Sequence, residues 1–440
     1  MHGCDPSRLL RRLVVVYVPG MLVRSSSVLV LMACGVTACR TPSAAAPTAS
    51  GPFGSAAELE SALAKVERGA DPDPVWARIA AHGTIPVAFG PVAYFFYRGP
   101  GSTVEWRGDH NEWHGWDREG TRVGDSDLWR FTTQLLPGSR LDYKLVVDGQ
   151  WILDPHNPHQ QVGGFGPNSE ARMSGWQASP YVTLGSSTPR GSFTADIAFQ
   201  SERLGYVVNY RVHTPANLPA KARDLPTLYV TDGSDYYRDD MGAMVIVLDR
   251  LYEERLIPPM VVVFIDPWST GRTENRREQE LVPSSPTMCA FCDFMVEELI
   301  PTIEASYPVS PDPETRGVLG TSYGGLHATY MGLAYGAHFG RLGIQSPAYH
   351  PRHVRHVWEG VMKVDSFPSK VFLEVGLYES RYVYDSTRLV NHLEEIGVDI
   401  AFETAPEGHS WGHWRAYLDE ALIHLYGASP QGPGPEPSDF

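Results

Sequence analysis

The stretch "RGVLGTSYGGLHATYMGLAYG", residues 316–336, holds Ser322 at the centre of a Gly-x-Ser-x-Gly pattern. The preceding "VLG" predicts a strand, and the residues after Ser322 predict an amphipathic helix. A strand, a sharp turn and a helix form the context in which such a serine stands exposed above a sheet. Gly320 and Gly324 supply the small residues that this crowded turn requires. The stretch therefore predicts Ser322 as a nucleophile in an α/β fold, with an ordinary glycine-rich turn as the alternative.

The sequence around this stretch, residues 193–427, alternates between strand and helix patterns. "PTLYVTDG" and the β-branched run "PPMVVVFIDP" are typical of strands buried on both faces of a parallel sheet, and "FCDFMVEELIPTIEASY" is typical of a helix. Such alternation predicts an α/β-hydrolase architecture with a doubly wound, mostly parallel sheet. The Pro- and Gly-rich residues 428–440 are expected to be a disordered tail.

Residues 56–175 have a different texture, with short helices followed by short strands. "PVAYFFYRG", "LWRFTTQL" and "LDYKLVVDGQWIL" alternate apolar and polar residues between turn signals such as Asp148-Gly149. This pattern predicts a small all-β sandwich ahead of the hydrolase part. Residues 176–192, rich in Ser, Gly and Pro, are expected to be the linker.

The first residues predict an export signal, which we assign to residues 1–38 with translation starting at Met1 or Met21. Arg24 precedes a short apolar core, Val28–Ala33, that is too short to span a bilayer. "VTAC" then matches a bacterial lipobox ending at Cys39, so we expect a lipoprotein of the cell envelope. Simple signal cleavage, giving a periplasmic or secreted protein, is the alternative. Residues 39–55 are a low-complexity tether.

The charge balance restricts the partners of the chain. Its 440 residues carry 36 basic and 51 acidic side chains, a net charge of −15. Such a surface disfavours nucleic acid as a partner and leaves a lipid anchor as the expected attachment to a membrane. No His-Glu-x-x-His motif or spaced Cys/His set occurs, so neither a metal nor another cofactor is predicted.

A serine hydroxyl is a weak nucleophile and needs a histidine base downstream in this fold. His409, in "EGHSW", directly follows the predicted strand "IAFETAP" and is our candidate. His413, four residues later and within the predicted last helix, is the alternative.

The histidine in turn needs an acid, which in this fold lies between the serine and the histidine along the chain. Glu379, in "GLYES", follows the strand "VFLEV" at the sheet edge where such sites assemble. Glu374, within that strand, and Asp385, in the next helix, are the alternatives.

An oxyanion hole requires two backbone N–H groups near the nucleophile. Tyr323, directly after Ser322, would provide one, and Ser234 in "LYVTDGSDYY" would provide the other. We expect Gly233 to allow the tight turn that directs the Ser234 N–H inward. An ordinary β-turn at Asp232-Gly233 is the alternative.

Two further motifs carry chemistry. "STGRTENRREQE" clusters Arg272, Arg276 and Arg277, which could hold an anionic group of a substrate; a structural Arg277–Glu280 ion pair is equally consistent. Cys289 and Cys292 form a Cys-x-x-Cys. A local disulfide or core packing suits an exported chain better than redox catalysis, because no thioredoxin-like βαβ pattern surrounds the motif.

Five segments, in this order, resemble the enterochelin (enterobactin) esterase family of serine esterases: "YVTDGSDYY", "NRREQELVP", "GTSYGG", "EVGLYES" and "EGHSWGHWRAYL". The resemblance implies Ser322 as nucleophile, Glu379 as acid, His409 as base, and the Ser234 and Tyr323 amides as oxyanion donors. Many members carry Asp at the acid position, so the glutamate is a departure.

"VEWRGDHNEWHGW" and "DPHNPHQQVGGFGPNSE" resemble the early-set, glycogen-binding-like β-sandwich that precedes some of these esterases. In that family the sandwich also walls one side of the active-site cleft. Its tryptophans could stack on sugars or fill the sandwich core; they are Trp106, Trp113, Trp116, Trp129 and Trp151.

These patterns together predict an exported serine hydrolase that cleaves carboxylic esters through an acyl-enzyme. The resemblance favours a siderophore lactone as the substrate. A feruloyl or acetyl-xylan esterase acting on polysaccharide-linked esters is the alternative within the enzyme class. A binding lipoprotein with a catalytically silent hydrolase fold is the alternative from another class.

Overall fold

The computed structural model describes residues 51–427, apart from 115, 350–356, 358–359, 362 and 365. The predicted signal segment, Cys39, most of the tether and the predicted disordered tail lie outside the described residues. Among the helices that are described, none combines the length and the apolar character needed to cross a bilayer.

Two helices, Ala56–Glu67 (α1) and Asp73–Ala80 (α2), precede the first strand. The Ser55 hydroxyl begins α1 by accepting a hydrogen bond from the backbone N–H of Glu58, which satisfies one of the unpaired donors of the first turn. The buried side chains of both helices join the core of the sandwich that follows. The helices therefore form part of the N-terminal unit.

That unit consists of two antiparallel sheets. In spatial order the first contains Val87–Phe89 (β1), Val92–Arg98 (β2), Leu128–Gln134 (β5) and Thr121–Arg122 (β4). The second contains Val104–Gly108 (β3), Arg140–Val147 (β6), Gly166–Arg172 (β9) and Gln160–Gly163 (β8), with Gln150–Ile152 (β7) paired to β6. Trp106 of β3 stacks on Phe131 of β5, with ring centroids 5.9 Å apart, so the sheets face each other across one core.

The tryptophans of the sandwich divide between its core and its surface. Trp106 and Trp129 are buried, which corresponds to the core-packing alternative. Trp113 is half-buried and stacks on the exposed Trp151, while Trp116 is exposed. Only the last three remain available for contact with another molecule.

The hydrolase part is built on a nine-stranded sheet. Its strands are Ser192–Phe193 (β10), Ile197–Gln200 (β11), Val207–Thr214 (β12), Thr227–Val230 (β13), Val261–Asp266 (β14), Arg316–Thr321 (β15), Arg341–Gln345 (β16), Lys370–Gly376 (β17) and Asp399–Ala405 (β18). Their order is β10-β12-β14-β13-β15-β16-β17-β18, and β11 pairs with β12. From β14 to β18 all neighbours are parallel, whereas β12 is antiparallel to β14.

Helices of the described residues cover this sheet. They are Gly233–Tyr236 (α3), Met244–Glu253 (α4), Arg277–Leu281 (α5), Met288–Asp293 (α6), Ile300–Ser306 (α7), Tyr323–Ala334 (α8), Ser380–Glu395 (α9), Trp411–Ala416 (α10) and Leu418–Tyr426 (α11), and a π-helical stretch at Phe294–Leu299 joins α6 to α7. This architecture confirms the predicted α/β-hydrolase fold with a preceding all-β sandwich. The prediction of an amphipathic α8 is wrong, because most of its residues are buried on all sides.

The strand order reverses at β13, which lies between β14 and β15. Chains leaving the carboxyl ends of β13 and β15 therefore turn away to opposite sides and leave a crevice between them. Ligands of open α/β sheets bind in such crevices. Ser322 follows β15 and the Asp232-Gly233 turn follows β13, so both predicted segments lie at this point of the sheet.

Candidate active site

Ser322 occupies a strained turn between β15 and α8. Its backbone has φ 58° and ψ −113°, a conformation that costs a residue with a side chain about 1–3 kcal/mol. A Cβ at Gly320 would lie 2.6 Å from the carbonyl carbon of Gly324, and one at Gly324 would lie 2.6 Å from Thr231 Oγ1. Both glycines are therefore required by close approach, as the Gly-x-Ser-x-Gly pattern predicts.

His409 joins this serine to a carboxylate. Its Nε2 lies 2.9 Å from Ser322 Oγ, and its Nδ1 lies 2.5 Å from Glu379 Oε1. Because an ionised carboxylate can only accept a hydrogen bond, Nδ1 carries the proton and Nε2 of the neutral ring is left to accept from the serine hydroxyl. The structure thus brings the three residues predicted from the sequence into one hydrogen-bonded chain.

Glu379 is buried at the start of α9, and both of its oxygens have partners. Its Oε2 accepts hydrogen bonds from Ser346 Oγ and from the Gly376 N–H, each 2.7 Å long. Burial would raise the pKa of Glu379, but the charges and hydrogen bonds of His409, His413 and Ser346 outweigh it and hold that pKa below its ordinary value. The carboxylate that faces His409 is therefore ionised at neutral pH.

The alternative acids and the alternative base lie elsewhere. His413 is fully buried in α10, where its Nε2 lies 2.5 Å from Oε2 of the buried Glu374 of β17. Asp385 lies within α9, 3.7 Å from Arg381. None of the three is hydrogen-bonded to Ser322, whereas His409 is.

The two predicted oxyanion residues each lie in the first turn of a helix. Tyr323 is the first residue of α8 and Ser234 the second residue of α3, and N–H groups in a first turn point out of the helix end. In the turn between β13 and α3, the residue with a left-handed backbone is Asp232, with φ 52°. We expected Gly233 to be the residue that allows this turn. A Cβ at Gly233 would lie 2.5 Å from the carbonyl carbon of Phe264, so close approach to β14 is what requires glycine.

The three arginines predicted to bind substrate each contact groups of the protein itself. Arg277 donates to Asp232 Oδ1 at 2.7 Å and to the Thr321 carbonyl at 3.1 Å. It therefore links the turn after β13 to the end of β15. Arg276 pairs with Glu274, and the more exposed Arg272 lies 3.4 Å from Asp266.

The alternative Arg277–Glu280 ion pair is wrong. Glu280 is buried and accepts a hydrogen bond from Tyr206 at 2.8 Å instead. Burial raises the pKa of Glu280 to about 8 despite that bond, so the carboxyl is mostly protonated at neutral pH.

The predicted disulfide is also wrong, because Cys289 and Cys292 are both free thiols. They point to different surroundings from successive turns of α6. Cys292 is buried against Met288 and His327, whereas Cys289 is exposed and lies 3.9 Å from the Tyr330 hydroxyl. Burial raises the pKa of the Cys292 thiol well above its ordinary value, which leaves it unreactive.

The resemblance implied that the sandwich walls the cleft, but the sequence did not predict that its buried residues hold the loop of His409. Arg140 of β6 is buried, and its guanidinium donates to Ser410 Oγ at 2.9 Å, directly after His409. It also lies 3.4 Å from Glu407 and pairs with two carboxylates of its own unit, Asp142 and Glu170. Arginine and aspartate two apart in "SRLDYKL" share one face of a strand, a signal for a buried ion pair whose partner the sequence could not identify.

A second sandwich residue, Asp109, packs against Gly408, where no side chain would fit. Its carboxyl accepts from Trp113 Nε1 and from the Asp142 N–H. Burial, followed by the nearby charge of Asp142, raises the pKa of Asp109 to about 7. The loop that carries His409 is thus held by two buried polar residues of the other unit.

A cleft of about 320 Å³ opens beside His409 between the two units. The sandwich contributes Asp109, Glu112 and Trp113 to its lining, and the hydrolase part contributes Tyr378, Glu379, Ser380, Arg381, Tyr382 and His409. The Ser380 hydroxyl joins the two units at the cleft by donating to Glu112 at 2.6 Å. Among the described residues, no His, Cys, Asp and Glu side chains form a group of three that could bind a metal ion.

A family model described as "Esterase: Putative esterase" matches residues 201–425, slightly more than half of the chain. The chain belongs to the esterase family. The iron(III) enterobactin esterase of Escherichia coli O6:H1 is 28% identical to it over 351 residues, which cover 72% of this chain and 84% of the relative. The chain is thus a carboxylic ester hydrolase, and its sequence is similar to that of this enterobactin esterase.

Solved structures show the same fold. The enterobactin esterase of Shigella flexneri, crystallised in the presence of enterobactin, superposes with a TM-score of 0.62 at 24% identity over 76% of this esterase and 92% of that chain. The same enzyme in the presence of 2,3-dihydroxy-N-benzoylserine gives a TM-score of 0.60 at 23% identity, covering 76% and 92%. The shared fold includes the sandwich as well as the hydrolase part, since the coverage exceeds the family match.

Proposed function

We propose that the esterase is a serine hydrolase that uses Ser322, His409 and Glu379 as a catalytic triad. The observation that carries this proposal is the unbroken hydrogen-bonded chain from Ser322 Oγ through His409 to Glu379, which begins at a serine in a strained turn. Such a turn holds the hydroxyl at the mouth of the crevice without help from a ligand.

In the proposed reaction, Ser322 Oγ attacks the ester carbonyl while His409 Nε2 accepts the hydroxyl proton. The ionised Glu379 stabilises the resulting imidazolium. The Tyr323 and Ser234 N–H groups donate to the oxyanion of the tetrahedral intermediate. His409 then protonates the leaving alcohol, and a water activated by the same ring hydrolyses the acyl-serine.

We further propose that the substrate is a siderophore ester with an aromatic acyl group. The names of the relatives support enterobactin as the reference compound. The cleft beside His409 supports an aromatic group, because Trp113 and Tyr382 line it on opposite units and the Tyr382 ring lies 5.6 Å from that of His409. A feruloyl group is also aromatic, so a feruloyl esterase is the second candidate.

The proposed location is the cell envelope, after export and lipidation at Cys39. The lipobox-like "VTAC" and the tether supply the support for it. Metabolic labelling with a palmitate analogue tests it, with Cys39→Ser as the control. Label that persists in Cys39→Ser, or that never enters the wild-type protein, would contradict lipidation.

A fluorophosphonate probe tests the triad. We expect stoichiometric labelling of the wild-type esterase, no labelling of Ser322→Ala, and unchanged labelling of Ser306→Ala, which removes a serine hydroxyl from the distant helix α7. Labelling that survives Ser322→Ala would overturn the proposed nucleophile. A folded wild-type protein that takes up no probe would favour a silent binding protein.

Side-by-side hydrolysis of enterobactin, iron(III) enterobactin, methyl ferulate and acetylated xylan tests the substrate. We expect the highest kcat/KM for one of the two enterobactin forms. A higher value for methyl ferulate or acetylated xylan would contradict the siderophore ester and leave the triad intact.

A further inference from the structure

A second carboxylate–histidine pair lies directly beneath the first. Glu374 and His413 are each no more than 1% exposed, on β17 and α10, and Nε2 of the histidine lies 2.5 Å from Oε2 of the glutamate. Gln345 of the neighbouring β16 donates to the other oxygen of Glu374 at 3.1 Å. His413 stands four positions after His409, and Glu379 five positions after Glu374, so the same two segments supply both pairs.

The surroundings of His413 favour protons on both of its ring nitrogens. Nε2 faces Glu374, and Nδ1 lies 3.1 Å from the Gly408 carbonyl oxygen, which can only accept. Burial raises the pKa of Glu374, but the charges of Glu374, Glu407 and Glu379 favour the imidazolium over the neutral ring. A buried cation therefore lies below the site, neutralised by a carboxylate that it touches.

This cation contacts both members of the pair above it. Nδ1 of His413 lies 3.9 Å from Glu379 Oε2, within the range where a positive charge favours an ionised carboxylate. The same nitrogen donates to the carbonyl of Gly408, the residue that precedes His409. Loss of the positive charge on His413 would therefore remove a charge that keeps Glu379 ionised and would weaken the contact that holds the loop of His409.

We propose that the His413–Glu374 pair is a positioning pair, which keeps Glu379 ionised and His409 directed at Ser322. The pair acts on the catalytic triad, so this proposal rests on the triad described under the proposed function. His413 touches no reacting atom. Its contribution to the rate is made through Glu379 and the His409 loop.

The charged groups around His413 come from four elements. Glu374 and Glu379 face it from β17 and the loop that follows, Glu407 lies in the loop after β18, and the Arg140 guanidinium packs on Gly412 beside it. Burial would lower the pKa of His413, but Glu374, Glu407 and Glu379 outweigh it and raise that pKa to about 9. The folded-state pKa lies above the ordinary value, so the imidazolium is present at pH 7 and is lost as the pH rises through about 9.

His413→Asn removes the ring cation and keeps an amide near the position of Nδ1 for the Gly408 carbonyl. At pH 7 we expect kcat for a p-nitrophenyl ester to fall by about 10- to 100-fold, as outer partners of functional histidines commonly contribute, with KM changed by less than about threefold. Above pH 9 the wild-type kcat should fall towards that of the variant, because both then lack the cation. Ser322→Ala supplies the background rate at each pH.

A ratio of wild-type to variant kcat that stays constant from pH 7 to pH 10 would overturn the proposal. The wild-type titration alone also tests it without any risk of misfolding: absence of a reversible loss of kcat near pH 9 contradicts it.

Glu374→Gln is the matched second variant, and it keeps the size of the side chain. If the pair acts as a unit, combining it with His413→Asn should cost little more than either change alone. Fully additive effects would contradict a unit. Full activity of Ser322→Ala would instead defeat the triad itself, so the two failures are distinguishable.

Discussion

Ser322, the proposed nucleophile, and His409, the proposed base, are held in different ways. The turn at Ser322 is fixed entirely by the hydrolase part: its N–H donates to the Gln345 carbonyl and its carbonyl accepts from the Ala348 N–H, each at 2.9 Å. Thr231, the residue that approaches both glycines of the turn, also belongs to that part. The contacts that hold the Ser322 turn thus all come from the hydrolase part.

The loop that carries His409, by contrast, is held by contacts with the sandwich. Glu407 and Ser410 contact Arg140, and Gly408 packs on Asp109, so residues on both sides of His409 touch the other unit. The loop of the acid is also attached, because the Tyr378 hydroxyl accepts from the Leu136 N–H at 2.8 Å. The comparison teaches that the sandwich holds the loop of the proposed base as well as lining the cleft.

The largest expected effect comes from removing the base itself. His409→Ala should reduce kcat for a p-nitrophenyl ester by about 10³-fold or more, as for other triad members, because it removes the ring nitrogen that lies within hydrogen-bond distance of Ser322 Oγ. KM should change little. His338→Ala, which removes an exposed histidine side chain, is the matched control and should leave kcat unchanged. His413→Ala, which removes a positioning residue, should cost less than His409→Ala; greater damage from it would show that the base is misassigned.

Removal of the buried Arg140 guanidinium should lower the free energy of unfolding by several kcal/mol. Arg140→Met leaves Asp142, Glu170 and Glu407 without their shared cation, and breaking buried ion pairs costs about 3–5 kcal/mol. Urea unfolding at pH 7 measures the loss. Arg203→Met, which breaks a half-exposed pair with Glu297, should cost at most about 1 kcal/mol.

The pH dependence of this loss has a definite sign. Burial raises the pKa of the Asp142 and Glu170 carboxyls and Arg140 lowers it, so without the guanidinium both folded-state pKa values rise and the folded variant binds more protons than the unfolded chain. Its stability then falls as pH rises, and the deficit relative to wild type should be smaller at pH 5 than at pH 7. A deficit that grows on acidification would contradict the ionised cluster.

The sequence predicted the nucleophile end almost completely, and the reason is physical. A strand, two small residues around a serine and a following helix are local features, and the sharp turn itself demands them. The acid and base could also be placed, because each follows a strand whose carboxyl end must reach the same sheet edge. Glu379 and His409 were therefore expected near Ser322, where the structure places them, although strained Ser346, which holds Glu379, carried no signal.

The contacts between the units could not be predicted in this way. Arg140 and Ser410 are 270 residues apart, and nothing in either segment identifies the other. The same holds for Arg277, where a nearby glutamate in the sequence suggested a partner but the fold supplied Asp232 from the turn after β13. Pairing between distant segments depends on how the sheets and units pack, which a single sequence does not state.

Damage to the nucleophile turn should lower activity without involving the sandwich. Gly320→Ala would drive a Cβ into Thr231 Oγ1 and the Gly324 backbone, and displacing a reacting group by about 1 Å can cost about 10²-fold in rate. We expect a loss of that order in kcat, measured with a p-nitrophenyl ester. Gly336→Ala, whose Cβ would meet only Pro368 at 3.5 Å, should retain full activity; equal losses in both variants would contradict the steric account.

The smallest expected effect tests whether the Arg140–Ser410 hydrogen bond orients His409 or only attaches the sandwich to the hydrolase part. Ser410 precedes α10 without capping it through its side chain, so Ser410→Ala removes the hydrogen bond from Arg140 and leaves the helix start unchanged. Unfolding free energy should fall by about 1–2 kcal/mol for a bond to a charged donor. If the contact orients His409, kcat falls several-fold at constant KM, while Ser306→Ala leaves kcat unchanged. If it only joins the units, stability falls and kcat does not, and this hydrogen bond would then have no part in positioning the proposed base.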